Sequence, residues 1–259
     1  MSGPVPPRPD LGSGQLEPGP PPATWKAIEA LPVGLIALGA TAIVGAILSV
    51  VFPAQGPAGG GTLRESPGFF TFANMAQELA ILCSVAIWVR FVNKGSLASL
   101  GLPPRRPWTD LGIGVMTGVA MVFGAGIVLQ VVRSIVDAVV GHHVSNPEQV
   151  PQTVRGGFLV VSGFVVVVLA PLAEETFFRG FLYKALRRRY SVWPAALLSS
   201  LFFGLVHFAG LKFLLIIPAL IVVGLILALV YERRRSLLAS VAAHATFNLI
   251  GFLVIAFGR

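Results

Sequence analysis

Six polar residues sit in segments apolar enough to cross a bilayer. Glu174, Glu175 and Arg179 belong to "PLAEETFFRG" (171–180), His207 closes "FGLVH" (203–207), and His244 and Asn248 bound "HATFN" (244–248). An ionisable side chain within a span costs roughly 2.5–3.5 kcal/mol even on the gentler insertion scale, so such residues face the protein interior and mark function. A carboxylate and an imidazole together can hold and deprotonate a water. A second histidine and an asparagine can donate hydrogen bonds to an oxyanion. That combination describes hydrolysis of an amide by activated water. Glu174, His207 and His244 could instead bind a divalent metal such as zinc, which would activate the water itself. The HExxH pair of many zinc hydrolases is absent, and no serine nucleophile motif accompanies the set.

Helical spacing separates the two glutamates. Glu175 and Arg179 are four apart and can pair on one helix face. Glu174 is rotated about 100° from its neighbour and is free for chemistry. His244 and Asn248 are also four apart and can address one site. Pro171, just upstream, is expected to kink its helix and open the backbone locally.

The elements that must carry these residues are membrane helices. Of 259 residues, 55% are hydrophobic and only 12% charged, against about a quarter charged in soluble domains. The apolar runs are continuous, unlike the short alternating segments of a transmembrane barrel. The fold class expected is all-α, a polytopic bundle of seven to eight spans around a polar cavity. Seven apolar segments can be drawn, at 28–52, 69–92, 110–134, 157–187, 192–209, 212–231 and 237–257. The fourth is too long for one simple span. Residues 1–24, rich in proline and glycine, read as a disordered tail ahead of a membrane domain at 25–259, and they lack the apolar stretch of a signal peptide. No internal repeat is evident.

Charge sets the expected topology. The net charge of +8 would suggest nucleic acid in a soluble protein. Here the basic residues gather in alternate loops: Arg90, Lys94, Arg105 and Arg106; Lys184, Arg187, Arg188 and Arg189; Arg233, Arg234 and Arg235. The intervening loops hold little beyond Arg64, Arg155 and Lys212. The positive-inside rule then places the basic loops and the N-terminus in the cytoplasm and the C-terminus outside. The composition resembles that of a bacterial chain, so the membrane expected is the bacterial cytoplasmic one. The basic runs "RRRY" and "ERRRS" read as topology determinants that meet anionic lipid, with no nucleic-acid partner.

Depth along the helices brings the polar residues together. Measured from the basic end, Glu174, His207 and Asn248 lie roughly 20 Å in and His244 roughly 13 Å in, at ~1.5 Å per residue. Three helices therefore present polar groups at similar depth.

The three motifs fit EExxxR, FxxxH and HxxxN in order on successive apolar segments. The chain thereby resembles the CPBP family of intramembrane proteases, also called the CAAX protease or Abi family, whose eukaryotic relative is the Ras-converting CAAX endopeptidase. The resemblance covers about residues 157–257. It implies a conical, water-accessible cavity, water activation by Glu174 and His207, an oxyanion site of His244 and Asn248, and supporting roles for Glu175 and Arg179. It implies a membrane-anchored or lipid-modified peptide substrate and no obligatory cofactor, zinc being the alternative for a family long described as metalloproteases. Two rival functions use the same charges: a proton- or ion-coupled transporter, for which the inverted repeats are missing, and a bacteriocin-immunity type membrane protein.

Other polar positions have simpler readings. Glu78 in "NMAQELA" reads as a structural or cavity-facing glutamate of the second span. His142 and His143 read as solvated loop residues. The lone Cys83 excludes an intrachain disulfide and reads as a packing residue. Glycines such as those of "GAGIVLQ" (124–130) read as sites of close helix packing.

Overall fold

The computed structural model describes residues 21–53, 62–102, 104, 106–147 and 149–258. Most of the Pro/Gly-rich tail, and Arg105 in the first basic loop, fall outside them. All seven apolar segments are helical: α1 (Ala27–Val51), α2 (Pro67–Val92), α3 (Pro107–Val140), α4 (Gly156–Leu186), α5 (Val192–Leu205), α6 (Ile217–Arg234) and α7 (Leu237–Phe257). There are no strands among the described residues. The chain is an all-helical, polytopic integral membrane protein.

Five of these helices, α1 to α4 and α7, are long and apolar enough to cross a membrane. The remaining two narrow the expected seven to eight spans. The 14 residues of α5 reach only about 21 Å, short of the roughly 30 Å hydrocarbon core. The 18 residues of α6 end in the charged run Glu232–Arg234. The fifth segment was expected to stay helical through residue 209, yet α5 stops at Leu205, two residues before His207. Gly210, at φ +131°, then turns the chain into a short 3-10 turn at Leu211–Leu215. A backbone in that region suits glycine because it has no Cβ.

Ion pairs tie the basic loops to one end of the bundle. Arg187 after α4 and Arg235 after α6 both bond Glu232, at 3.2 and 3.1 Å. Arg234 reaches Asp110 at the start of α3, at 2.8 Å. The Lys184 ammonium donates to the carbonyls of Ser99 and Pro21. The Arg188 guanidinium donates to the carbonyl of Trp25 at 2.6 Å. The N-terminal segment therefore lies at the same end. Trp25 is fully buried there, stacked on Phe181 with ring centroids 5.0 Å apart, and its indole N–H donates to the Phe181 carbonyl. The α5–α6 pair starts and finishes at this end as well.

Outward faces are apolar and exposed, as in Leu35, Ile43, Val50, Phe123 and Val139, which is the pattern of a surface solvated by lipid rather than water. Inside, α3 packs along α7, α1 along α2, and α5 along α6. The closest approach is at Gly114 and Gly118 of α3. A Cβ on Gly114 would meet Ala242 Cβ at 2.5 Å, and one on Gly118 would meet the Ala243 carbonyl at 2.4 Å. Small residues four apart let two membrane helices touch backbone to backbone. This contact fixes α7, which carries His244 and Asn248. The packing glycines are thus not those of "GAGIVLQ": Gly124 and Gly126 have open space where a Cβ would stand.

Candidate active site

The middle of α4 is not a regular α-helix. Residues Val165–Leu169 and Thr176–Tyr183 have π-type hydrogen bonding on either side of a short α-helical stretch, Ala170–Glu175. Such widened turns recur at functional sites. Pro171 does not break α4. The Ala170 N–H bonds the Val165 carbonyl, five residues back. In that register the next bond would run from residue 171 to the Val166 carbonyl, and proline has no N–H to give. Asn248 supplies it from α7: its Nδ2 donates to the Val166 oxygen at 2.9 Å. An asparagine and a proline on different helices thus complete one hydrogen-bond register, and the bond holds Asn248 beside the glutamate-bearing turn.

Below Pro171 the two glutamates separate as their rotation requires. Glu175 is fully buried. Its Oε1 accepts from Arg179 Nη1 at 2.7 Å and from His244 Nδ1 at 3.0 Å. Arg179, also fully buried, donates from Nη2 to the Gly224 carbonyl of α6 at 2.9 Å, and its guanidinium lies 4.6 Å from the centre of the Phe203 ring. One residue pair therefore binds α4, α5, α6 and α7 together. The expected Glu175–Arg179 pair is present, and Glu175 has a second task that spacing did not suggest, the orientation of His244.

Glu174 faces elsewhere. Its Oε2 lies 3.8 Å from His207 Nε2 and 4.0 Å from His244 Nε2, too far for direct hydrogen bonds and close enough for one small molecule to touch all three groups. That oxygen is buried and has no hydrogen-bond partner. The ring orientations follow from the other nitrogens. His207 Nδ1 is 2.7 Å from the Phe203 carbonyl, an acceptor, so Nδ1 carries the proton and the neutral ring turns a bare Nε2 toward Glu174. His244 Nδ1 meets the Glu175 carboxylate, and the same reasoning leaves its Nε2 as the group presented to Glu174.

Glu174 and His207 line a cavity of about 220 Å³ whose other walls include Leu38 of α1, Glu78 and Ile81 of α2, and Phe177 of α4. Among the described residues, no group of three or more His, Cys, Asp or Glu side chains is arranged as a preformed metal site.

All six sequence-predicted residues meet around α4. The sequence reading placed Phe203 in the FxxxH motif without giving it a role; its ring contacts Arg179, His207 and His244, with centroid separations of 5.0 and 5.7 Å to the two imidazoles. Its place four residues before His207, on the same helical face, was the available signal. The carbonyls of Val166 and Gly224 left no signal, because backbone acceptors look alike in a sequence. His142 and His143 are exposed, and His143 meets Asp137 at 3.0 Å at the far end of α3. Cys83 is exposed on α2 rather than packed in the core.

Residues 156–250, which hold all six sequence-predicted residues, match the family model described as type II CAAX prenyl endopeptidase Rce1-like. Over these residues the chain is similar to that family. Similar chains occur in bacteria. An Escherichia coli protein named "Uncharacterized 24.3 kDa protein" is 35% identical over 97 residues, 37% of this chain and 44% of that one. A Bacillus subtilis protein named "Putative membrane peptidase YdiL" is 29% identical over 109 residues, 42% of each chain. A Lactococcus lactis protein named "UPF0177 protein YaiF" is 33% identical over 115 residues, 44% of this chain and 50% of that one. The matches span half or less of these relatives. No solved structure matches the chain.

Proposed function

We propose that the chain is an intramembrane endopeptidase that hydrolyses a peptide bond of a membrane-anchored or lipid-modified substrate. One observation carries this reading: the unpartnered Glu174 oxygen faces two imidazole nitrogens at 3.8 and 4.0 Å on a cavity wall. A water held there donates one hydrogen bond to Glu174 and another to the bare His207 Nε2, an arrangement that turns the water's lone pair toward a substrate carbonyl. As the water oxygen bonds the carbonyl carbon, its proton passes to Glu174. The carbonyl electron pair moves to oxygen, where Asn248 and a protonated His244 donate hydrogen bonds; the Glu175 carboxylate behind Nδ1 supports the charge on that ring. The C–N bond then breaks, and Glu174 returns the proton to the leaving amine. Arg179 holds Glu175 and takes no part in proton transfer.

The membrane is proposed to be a bacterial cytoplasmic membrane, in keeping with the bacterial relatives, with the end bearing Arg187 and Arg235 in the cytoplasm. The C-terminus then lies outside. Purified protein in detergent, incubated with lipidated and single-span peptides, is expected to cleave at least one of them. Glu174→Ala and His207→Ala are expected to abolish that cleavage, and chelators to leave it unchanged. Cleavage that survives both substitutions sinks this mechanism, and cleavage lost on chelation and restored by zinc sinks its metal-free form.

A further inference from the structure

The cavity carries a carboxyl group that the proposed hydrolysis does not use. Glu78 lies on α2, outside the matched residues 156–250, and is only 4% exposed. Its Oε1 meets Gln77 Nε2 at 3.5 Å, the outer limit of a hydrogen bond, and its Oε2 is buried with no partner. It lines the same cavity as Glu174 and His207. Among the described residues, no lysine or arginine is on that wall. Arg179, the buried base of the neighbouring cluster, is committed to Glu175 and the Gly224 carbonyl.

A buried carboxyl oxygen left without a partner costs free energy. Glu175 also leaves one oxygen unpartnered, but a guanidinium and an imidazole hold its other oxygen, whereas Glu78 has only the 3.5 Å contact with Gln77. A donor from outside the described residues would complete Glu78. Two carboxyl groups and no cation on one small cavity select a positively charged guest by charge complementarity. The remaining wall, with Leu38, Ile81 and Phe177, suits the methylene stem of a long basic side chain, which buries its carbons and directs its charge to a polar anchor.

We infer that Glu78 is a specificity-determining residue that receives a lysine or arginine side chain of the substrate, positioned near the bond presented to Glu174; this rests on the reading of the cavity as the substrate site. Because Glu78 lies outside the family core, this preference would be a property of the first two helices of this chain.

The test separates recognition from turnover. Protein carrying Glu174→Gln is titrated in detergent with a fluorescent single-span Leu–Ala peptide whose short membrane-proximal tail holds one lysine, moved through successive positions, and with the matching glutamine peptides. At one position the lysine peptide is expected to bind at least about tenfold tighter, as for a desolvated charge pair. Adding Glu78→Gln, nearly isosteric and so compatible with the fold, is expected to bring that ratio to about one. Glu78→Lys is expected to reverse it toward a glutamate-bearing peptide. Equal affinity for lysine and glutamine peptides at every position, including binding of neither, overturns the inference, as does a ratio untouched by Glu78→Gln. Cleavage of the same peptides by protein with Glu174 intact is scored separately. Lysine-selective binding without cleavage leaves this site standing and removes the peptidase reading. Cleavage without lysine preference does the opposite.

Discussion

Glu174 and Glu175 are adjacent in the chain and occupy opposite environments. Glu175 is sealed within the protein and shares one oxygen between a guanidinium and an imidazole. Glu174 keeps a buried oxygen with no partner, on a cavity wall, in reach of two imidazoles. One step of helix rotation separates a carboxylate anchored through one oxygen to two charged or polar side chains from one with no such anchor. The anchored group defines geometry, since it joins four helices through Arg179 and His244. The unanchored group is where an external molecule gains most by binding. A site of this kind needs both: a rigid polar frame, and a group within it whose hydrogen bonds are withheld.

This contrast can be broken from either side. The largest effect expected is on rate. Glu174→Gln is expected to lower kcat by about a thousandfold or more, toward the upper part of the roughly 10²–10⁴ range for a general acid–base group, because the same residue serves as base and then as acid. Thermal unfolding in detergent should barely move, since Glu174 has no hydrogen bond to another protein group among the described residues. A large loss of stability would mean that Glu174 belongs to the frame.

Glu175→Ala is expected to behave in the reverse sense. It leaves Arg179 buried without its carboxylate, a change that costs about 3–5 kcal/mol, so the melting temperature should fall and activity should be lost with it. The double substitution Glu175→Ala with Arg179→Met is expected to recover much of the stability and none of the activity, because His244 still lacks its anchor. Recovery of turnover in the double variant would remove the orienting role of Glu175.

Asn248→Leu probes the seam between frame and reactive group. It frees the Val166 carbonyl that Pro171 cannot serve, at about 1–3 kcal/mol for a buried unsatisfied acceptor. It also removes an oxyanion donor, worth about 10²–10³ in kcat. Asn248→Leu combined with Pro171→Ala restores a backbone donor near Val166 and is expected to regain stability while kcat stays low. Parallel recovery of both would make Asn248 purely structural.

The smallest effect expected is at the basic end, away from both glutamates. Burial opposes the charge of Glu232, but hydrogen bonds from Arg187 and Tyr183 and the nearby Arg235 hold its carboxyl below the ordinary glutamate value. A depressed carboxyl stabilises the fold above its unfolded-state pKa, and that contribution is lost as pH falls through the folded value. Stability should therefore fall slightly between about pH 5 and pH 3, by under about 1 kcal/mol, since the arginines that face Glu232 are partly exposed. Glu232→Gln should erase that part of the slope.

Much of this molecule is legible in the residues alone. The seven helices, the shared end of the basic loops and the partition of Glu175 toward Arg179 follow from apolar run length, charge placement and a 3.6-residue period. Where α5 ends was not legible, because "FGLVHFAG" remains apolar through the turn that Gly210 makes. The packing glycines were misplaced for a related reason: Gly114, Gly118, Gly124 and Gly126 look equivalent until a neighbouring helix covers some and not others.

The sequence by itself determined that polar groups enter the membrane on three apolar segments and at nearly one depth, since hydropathy and helical rise are local properties. Only the tertiary structure decided which atoms meet. The Val166 carbonyl finds Asn248, Glu175 turns His244, and Glu78, from outside the family core, joins the wall of the Glu174 cavity. Those pairings depend on distances between helices far apart in the chain, which are set by the packing of small residues and by buried hydrogen bonds. No local period or composition encodes them.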